Sequence, residues 1–313
     1  MTNASDKFPP TEGAAYNVSA GVEFSDAMRI YMMTATALLG VAGIVLNSLV
    51  VATGLRFRQF RNSAHYAAAA LSVAYLLDGS VRGPLTFARW LLLPRGPASE
   101  ARCHVFSFTE TLLLYACFLH LFVIAGDRYV AVMRPLQYGR LATGGRVAAA
   151  SVGAWCVALA LIVVCSSPSW TDGVPCFVNS GLEQYNVFTL SSFSLPAVVL
   201  LALYARIWRE SRRQATRIAA VATGGGSGGV SLHRGTVTIG AILLVFMLSW
   251  VLFLALGVAQ LLCACVPASA FEVAKFFISG NAVLNPLIFA VRSSRYRRAF
   301  YALLTGSHYT DDA

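Results

Sequence analysis

Charge is what this sequence has least of. Of its 313 residues only 12% are Asp, Glu, Lys or Arg, and 57% are hydrophobic. A soluble domain carries about 25% charged residues, so an ordinary soluble fold is excluded, and a mean hydropathy of +0.64 agrees. The deficit lies in separated apolar blocks, each near the roughly 20 residues needed to cross bilayer hydrocarbon. A cleavable leader is also missing, since the first apolar block starts near Ala27 and is too long for one. No metal cluster, nucleophile triad or phosphate loop appears, so an enzyme is the least supported reading, and neither a metal nor a cofactor is expected. No internal repeat appears, although a transporter or channel would show one together with discontinuous midplane helices. Cysteine is scarce and odd in number, 7 in all, so at least one is unpaired. Cys117, Cys156 and Cys165 fall inside apolar runs, where thiols act as small hydrophobes, whereas Cys103 and Cys176 flank spans.

The apolar blocks run from Ala27 to Leu55, Ala64 to Leu92, Cys103 to Met133, Val147 to Pro168, Tyr185 to Trp208, Thr236 to Leu262 and Phe271 to Val291, seven in all. The expected fold is an all-α membrane protein, a seven-transmembrane helix bundle over residues 27–291. Arginines gather after the first, third, fifth and seventh blocks, while the loop holding Asp172 and Glu183 has no Lys or Arg. The formal net charge of +10 therefore reads as topology rather than as a nucleic-acid surface, with the N-terminus outside and the C-terminus inside. Residues 1–26 are polar and carry two N-x-S/T sequons, at Asn3 and Asn17, as a glycosylated outer tail would. Gly224-Gly225-Gly226-Ser227-Gly228-Gly229 reads as a flexible linker between the fifth and sixth blocks. Residues 292–304 alternate basic and apolar side chains at helical spacing, as an amphipathic helix against lipid headgroups would, ahead of a short tail over 305–313.

One apolar run ends in an acid and an arginine, Gly126-Asp127-Arg128-Tyr129, and charges at such a place usually have a partner or a job. In order along the chain stand Asn47, Cys103, Asp127-Arg128-Tyr129, Trp155, Cys176, Pro196, Tyr204, Phe246, Trp250 and Asn285-Pro286-Leu287-Ile288-Phe289. This ordered set resembles the rhodopsin-like (class A) G-protein-coupled receptors from Ala27 to Leu304. The resemblance implies a Cys103–Cys176 bridge on the outer face, where disulfides survive. It also implies that Asp127 holds Arg128 at rest, and that Arg128 turns toward Tyr204 and a heterotrimeric G protein on activation. His65-Tyr66, Arg134-Pro135-Leu136-Gln137-Tyr138-Gly139-Arg140-Leu141-Ala142-Thr143 and His233-Arg234-Gly235-Thr236-Val237 are similar to fish odorant receptors and a related orphan group, which points toward olfaction.

The chain departs from that family's pattern in places. Leu252 replaces the proline expected after Trp250, so the usual kink is not encoded. Phe289 stands where a tyrosine is usual, while Pro286 supplies a break in the seventh helix. In the second block Tyr75 occupies the place of the family's sodium-binding aspartate. Asp78 lies almost one turn further on, where it either substitutes for that aspartate or pairs with Arg82 at i+4.

Glu110 falls where the family's amine receptors carry an aspartate, and an intramembrane carboxylate is a functional hypothesis by default. Its partner is either a ligand ammonium or Lys275 of the seventh block. The resemblance places Thr111, Leu114, Tyr115, Phe188, Ser192, Trp250, Phe253, Leu254 and Ser279 around the same cavity. Ser279 stands where opsins carry the retinal-linked lysine, so no retinal is expected. The expected function is transduction of an extracellular small ligand, an odorant or an amine, into G-protein activation. An atypical, weakly coupling receptor or scaffold and, behind it, a transporter are the alternatives.

Overall fold

A computed structural model describes residues 25–92, 100–171, 183–221, 227–263, 265–307 and 309. Side-chain surroundings are not described at 92, 100–104, 165–171, 183–189, 218–221, 227–235 and 268. Asn3, Asn17 and Cys176 lie outside the described residues, as do the side chains of Cys103 and Phe188.

The described chain is helical: α1 Asp26–Arg56, α2 Ser63–Leu77, α3 Gly83–Leu92, α4 Glu100–Met133, α5 Tyr138–Leu141, α6 Gly144–Thr171, α7 Glu183–Val221, α8 Ser227–Cys263, α9 Ala268–Ser279, α10 Asn281–Arg292 and α11 Ser294–Thr305. Helices satisfy every backbone polar group internally, which hydrocarbon demands. Together they form a seven-helix bundle, because α2 and α3 are two parts of one span and α9 and α10 two parts of another. Among the described residues six stretches are long and apolar enough to cross a membrane as they stand. In Val105–Met133 of α4 the apolar window is 56% buried against 22% for Asp26–Arg56 of α1, so α4 is the central column, packed on α2, α6, α7 and α8.

The missing seventh stretch is explained by a single turn of π-helix at Asp78–Arg82, which divides α2 from α3. Pro84 follows at once. Its ring would clash with the carbonyl four residues back, and a widened turn relieves that clash. Gly79 lets this turn lie against α1, since a Cβ there would stand 2.9 Å from Ile44 Cγ1 and 3.2 Å from the Gly40 carbonyl.

In the last span the structure corrects the expected position of the break, which falls at Gly280 between α9 and α10, while α10 runs on through Pro286. The carbonyl that loses its helical donor to Pro286 is Ala282 O, and Asn47 Nδ2 of α1 donates to it at 2.8 Å. A side chain 235 residues away thus replaces the missing N–H, so the helix continues.

The expected linker over residues 224–229 is shorter than its composition implies, because α8 already begins at Ser227 and includes Gly228 and Gly229. Cys263 and Cys265 are bridged to each other. α11 begins on a Ser293 cap, ends at Gly306 in the left-handed region (φ 68°), and buries Ala299, Phe300 and Ala302 while Arg295 and Arg297 stay exposed.

Candidate functional site

Six charged side chains meet between α1, the π-turn, α3, α4 and α9. Arg82 Nη2 donates to Asp78 Oδ2 at 2.8 Å and to Ser279 Oγ at 3.0 Å. Ser279 in turn donates to the Lys275 carbonyl at 2.9 Å. Lys275 Nζ donates to Glu110 Oε2 at 3.2 Å and lies 3.7 Å from Glu272 Oε1, which also accepts from Arg89 Nη2 at 2.6 Å. Glu272, Lys275 and Ser279 follow i, i+3, i+7 spacing and so share one face of α9. All six charged side chains are shielded, the most open being Arg89 at 28% exposure. All but Arg89, which stands behind Glu272, line a cavity of ≈ 40 Å³ closed on the α1 side by Met32, Thr36 and Gly40. A water needs roughly 10–15 Å³ of such space, so the cavity admits small polar groups, and anything larger must part the ion pairs.

Sequence reasoning placed one pocket here, and the structure divides it in two. Glu110, Lys275 and Ser279 line the charged cavity. Trp250 and Phe253 belong instead to an aromatic cluster, with ring centroids 5.7 Å apart. Trp250 also lies 4.3 Å from Phe193, which stacks on Tyr115 at 4.2 Å. Ser192 Oγ is hydrogen-bonded to the Tyr115 hydroxyl within this second group. Thr111 is buried and Leu114 packs against the core cluster. Asp78 is on Arg82, and Tyr75, in the place of the family's aspartate, accepts a hydrogen bond from Asn285 Nδ2 at 3.0 Å.

The other end of α4 carries a second ion pair. Arg128 donates to Asp127 through Nε, at 3.0 Å to Oδ2, and through Nη2. Tyr138 of α5 donates its hydroxyl proton to Asp127 Oδ1 at 3.0 Å and accepts from Arg128 Nη2 at 3.3 Å. Burial raises the Tyr138 phenol above its usual range, so it stays a protonated donor. Since that proton goes to Asp127, Ser63 Oγ, 2.8 Å away, is the donor in its own bond to Tyr138. Tyr204, which the family pattern directs toward Arg128, donates here to the Thr236 carbonyl of α8. Tyr129 is half-buried beside the pair. Tyr138 was legible only as part of a resemblance to a branch, not as a partner of Asp127. Arg89 and Glu272 were missed altogether, because their pairing spans 183 residues.

A seven-helix membrane bundle with an ion-paired cavity toward one end and an Asp-Arg latch at the other defines a class of transmembrane receptor. The chain matches the family described as 7 transmembrane receptor (rhodopsin family) over residues 46–289, and it belongs to that family, the class A G-protein-coupled receptors. The histamine H2 receptor of Canis lupus familiaris is 28% identical to it over 284 residues, covering 87% of this chain and 78% of its own length. Trace amine-associated receptor 8c of Mus musculus is 25% identical over 316 residues, covering 90% and 88%. The 5-hydroxytryptamine receptor 6 of Mus musculus is 23% identical over 311 residues, covering 86% and 69%. The protein is thus a multi-pass membrane receptor for small ligands and not an enzyme, of a family whose general partner is a G protein.

Proposed function

We propose that an extracellular small ligand acts on the Glu110–Lys275 pair, and that the response is release of Arg128 from Asp127 and Tyr138 toward a heterotrimeric G protein. The observation that carries this reading is one helix holding both groups: Glu110 is ion-paired to Lys275 at 3.2 Å, and Arg128 lies 18 residues further along α4. At 1.5 Å per residue they are about 27 Å apart, close to the thickness of bilayer hydrocarbon. The arginine-rich loops orient the bundle with the N-terminus outside, and the glycosylated tail at Asn3 and Asn17 and the Cys103–Cys176 bridge belong to that outer face. A ligand shifts the receptor between states only through its differential affinity for them. Splitting a buried ion pair supplies such a difference. The relatives named for histamine, 5-hydroxytryptamine and trace amines support a ligand bearing an ammonium group, for which Glu110 is the counter-charge. On activation Tyr204 gives up the Thr236 carbonyl for Arg128, and the family pattern assigns Tyr129, Asn285 and Pro286 to the same coupling step.

The test is G-protein activation by the full chain in cells, basal and with histamine, 5-hydroxytryptamine and phenethylamine. Arg128→Ala abolishes the signal at unchanged surface expression, and Glu110→Gln and Lys275→Gln each change the basal level. Basal signalling indifferent to all three substitutions would sink the reading. A second reading, a weakly coupling receptor, is favoured by the Tyr75–Asn285 hydrogen bond, which ties α2 to α10 where the family has an ion site. It predicts a silent wild type that Tyr75→Phe awakens.

A further inference from the structure

The cavity network is balanced, with Arg82, Arg89 and Lys275 against Asp78, Glu110 and Glu272. Three of its four pairs share partners: Glu272 Oε1 serves both Arg89, at 2.6 Å, and Lys275, at 3.7 Å, and Lys275 also serves Glu110, at 3.2 Å. Open valences of both signs remain. Among the described hydrogen bonds, Glu110 uses only Oε2, Glu272 only Oε1, and Arg82 only Nε and Nη2, which leaves two carboxylate oxygens and a guanidinium nitrogen. The first preference of a bare amine is Glu110. The amine can take the open Oε1 of Glu110 or displace Lys275, whose remaining partner Glu272 is already held by Arg89. The site would then hold four cations against three anions in a shielded place, where an uncompensated charge is strongly unfavourable. A bare carboxylate entering at Lys275 leaves the mirror-image excess.

We infer that the ligand of this cavity is a small zwitterion, bearing an ammonium and a carboxylate, which parts Lys275 from Glu110 and pairs with both. Its ammonium takes Glu110 and its carboxylate takes Lys275 and the open Nη1 of Arg82, so the charge balance is kept. This refines the site proposed above and rests on it. The ≈ 40 Å³ cavity admits the charged head alone while the pair is closed, so the ligand enters by opening the pair.

The test sets each amino acid against the amine that lacks only its carboxylate: γ-aminobutyrate against propylamine, histidine against histamine, and phenylalanine against phenethylamine. Melting temperature of the purified full chain and G-protein activation in cells are both read. In wild type at least one carboxylate-bearing member acts at a concentration roughly tenfold or more below its amine, a difference of about 1.4 kcal/mol. Lys275→Met reverses the order, because it frees Glu110 for an amine and removes the carboxylate's partner. The charge-balanced double variant Glu110→Gln with Lys275→Met guards against misfolding, and neither class acts on it. Amines that outdo their amino acids on wild type, with the response lost in Glu110→Gln, overturn the zwitterion and leave the cavity standing. Responses to either class that survive Glu110→Gln and Lys275→Met unchanged overturn the cavity as well. A wild-type protein that no member of either class stabilises or activates also overturns the proposal.

Discussion

The two ends of α4 each carry ion-paired charge, and the pairs are built in opposite ways. At the Glu110 end charges from four helical segments gather, and beside the local Asp78–Arg82 pair the pairing is long-range and shared: Lys275 stands between Glu110 and Glu272, and Glu272 between Lys275 and Arg89. At the Arg128 end the pairing is between neighbours in sequence, and among the described residues Tyr138, itself held by Ser63, adds the tertiary hydrogen bond. A shared network can open one pair while the charges stay compensated, which suits a place that must admit something. A local pair clamped by one phenol suits a place that must let go.

That contrast can be broken by substitution. The largest effect is expected from Asp78→Ala, which leaves Arg82 buried without its carboxylate and costs about 3–5 kcal/mol. It reads out as a loss of melting temperature in detergent that Asp78→Ala with Arg82→Met largely restores. Next comes Asn47→Ala, which strips the Ala282 carbonyl of the donor standing in for Pro286 and costs about 1–3 kcal/mol. If melting is unmoved, the helix through Pro286 is held by something else. Tyr138→Phe removes hydrogen bonds to Asp127 and Ser63 and costs about 0.5–1.5 kcal/mol. Its sharper signature is raised basal G-protein activation, and a basal level equal to wild type would separate Tyr138 from the latch. The smallest effect is at the exposed pair Arg29–Asp26, where Asp26 is 88% exposed. Asp26→Asn changes stability by no more than about 1 kcal/mol, which sets the baseline for the buried pairs.

Several features are legible in the sequence alone. The spans follow from run lengths, and the observed helices overshoot the apolar blocks mainly where polar loops continue the helix, as α7 does to Val221. The Asp78–Arg82 pair was readable because i+4 partners on a helix meet whatever the fold. The Glu110–Lys275 pair could be named only as one of two alternatives, since nothing local distinguishes an internal ammonium from a ligand's. The π-turn was not legible: Gly79 and Pro84 are signals, but the choice between a kink and a widened turn depends on how closely α1 approaches. Nor was the division of the expected pocket into a charged half and an aromatic half, because helical spacing gives a residue's face and not the neighbour it meets.

What the sequence determined by itself is therefore what depends on solvent and local geometry: seven spans, because hydrocarbon tolerates only long apolar helices, the acid beside Arg128, and the helical pairs. Tertiary structure decided which charges share the cavity, that Tyr75 takes Asn285, that Asn47 answers for Pro286, and that Tyr138 closes on Asp127. Those contacts join groups from separate spans, and only the packing of helices can choose among partners that hydrophobicity and spacing leave equivalent.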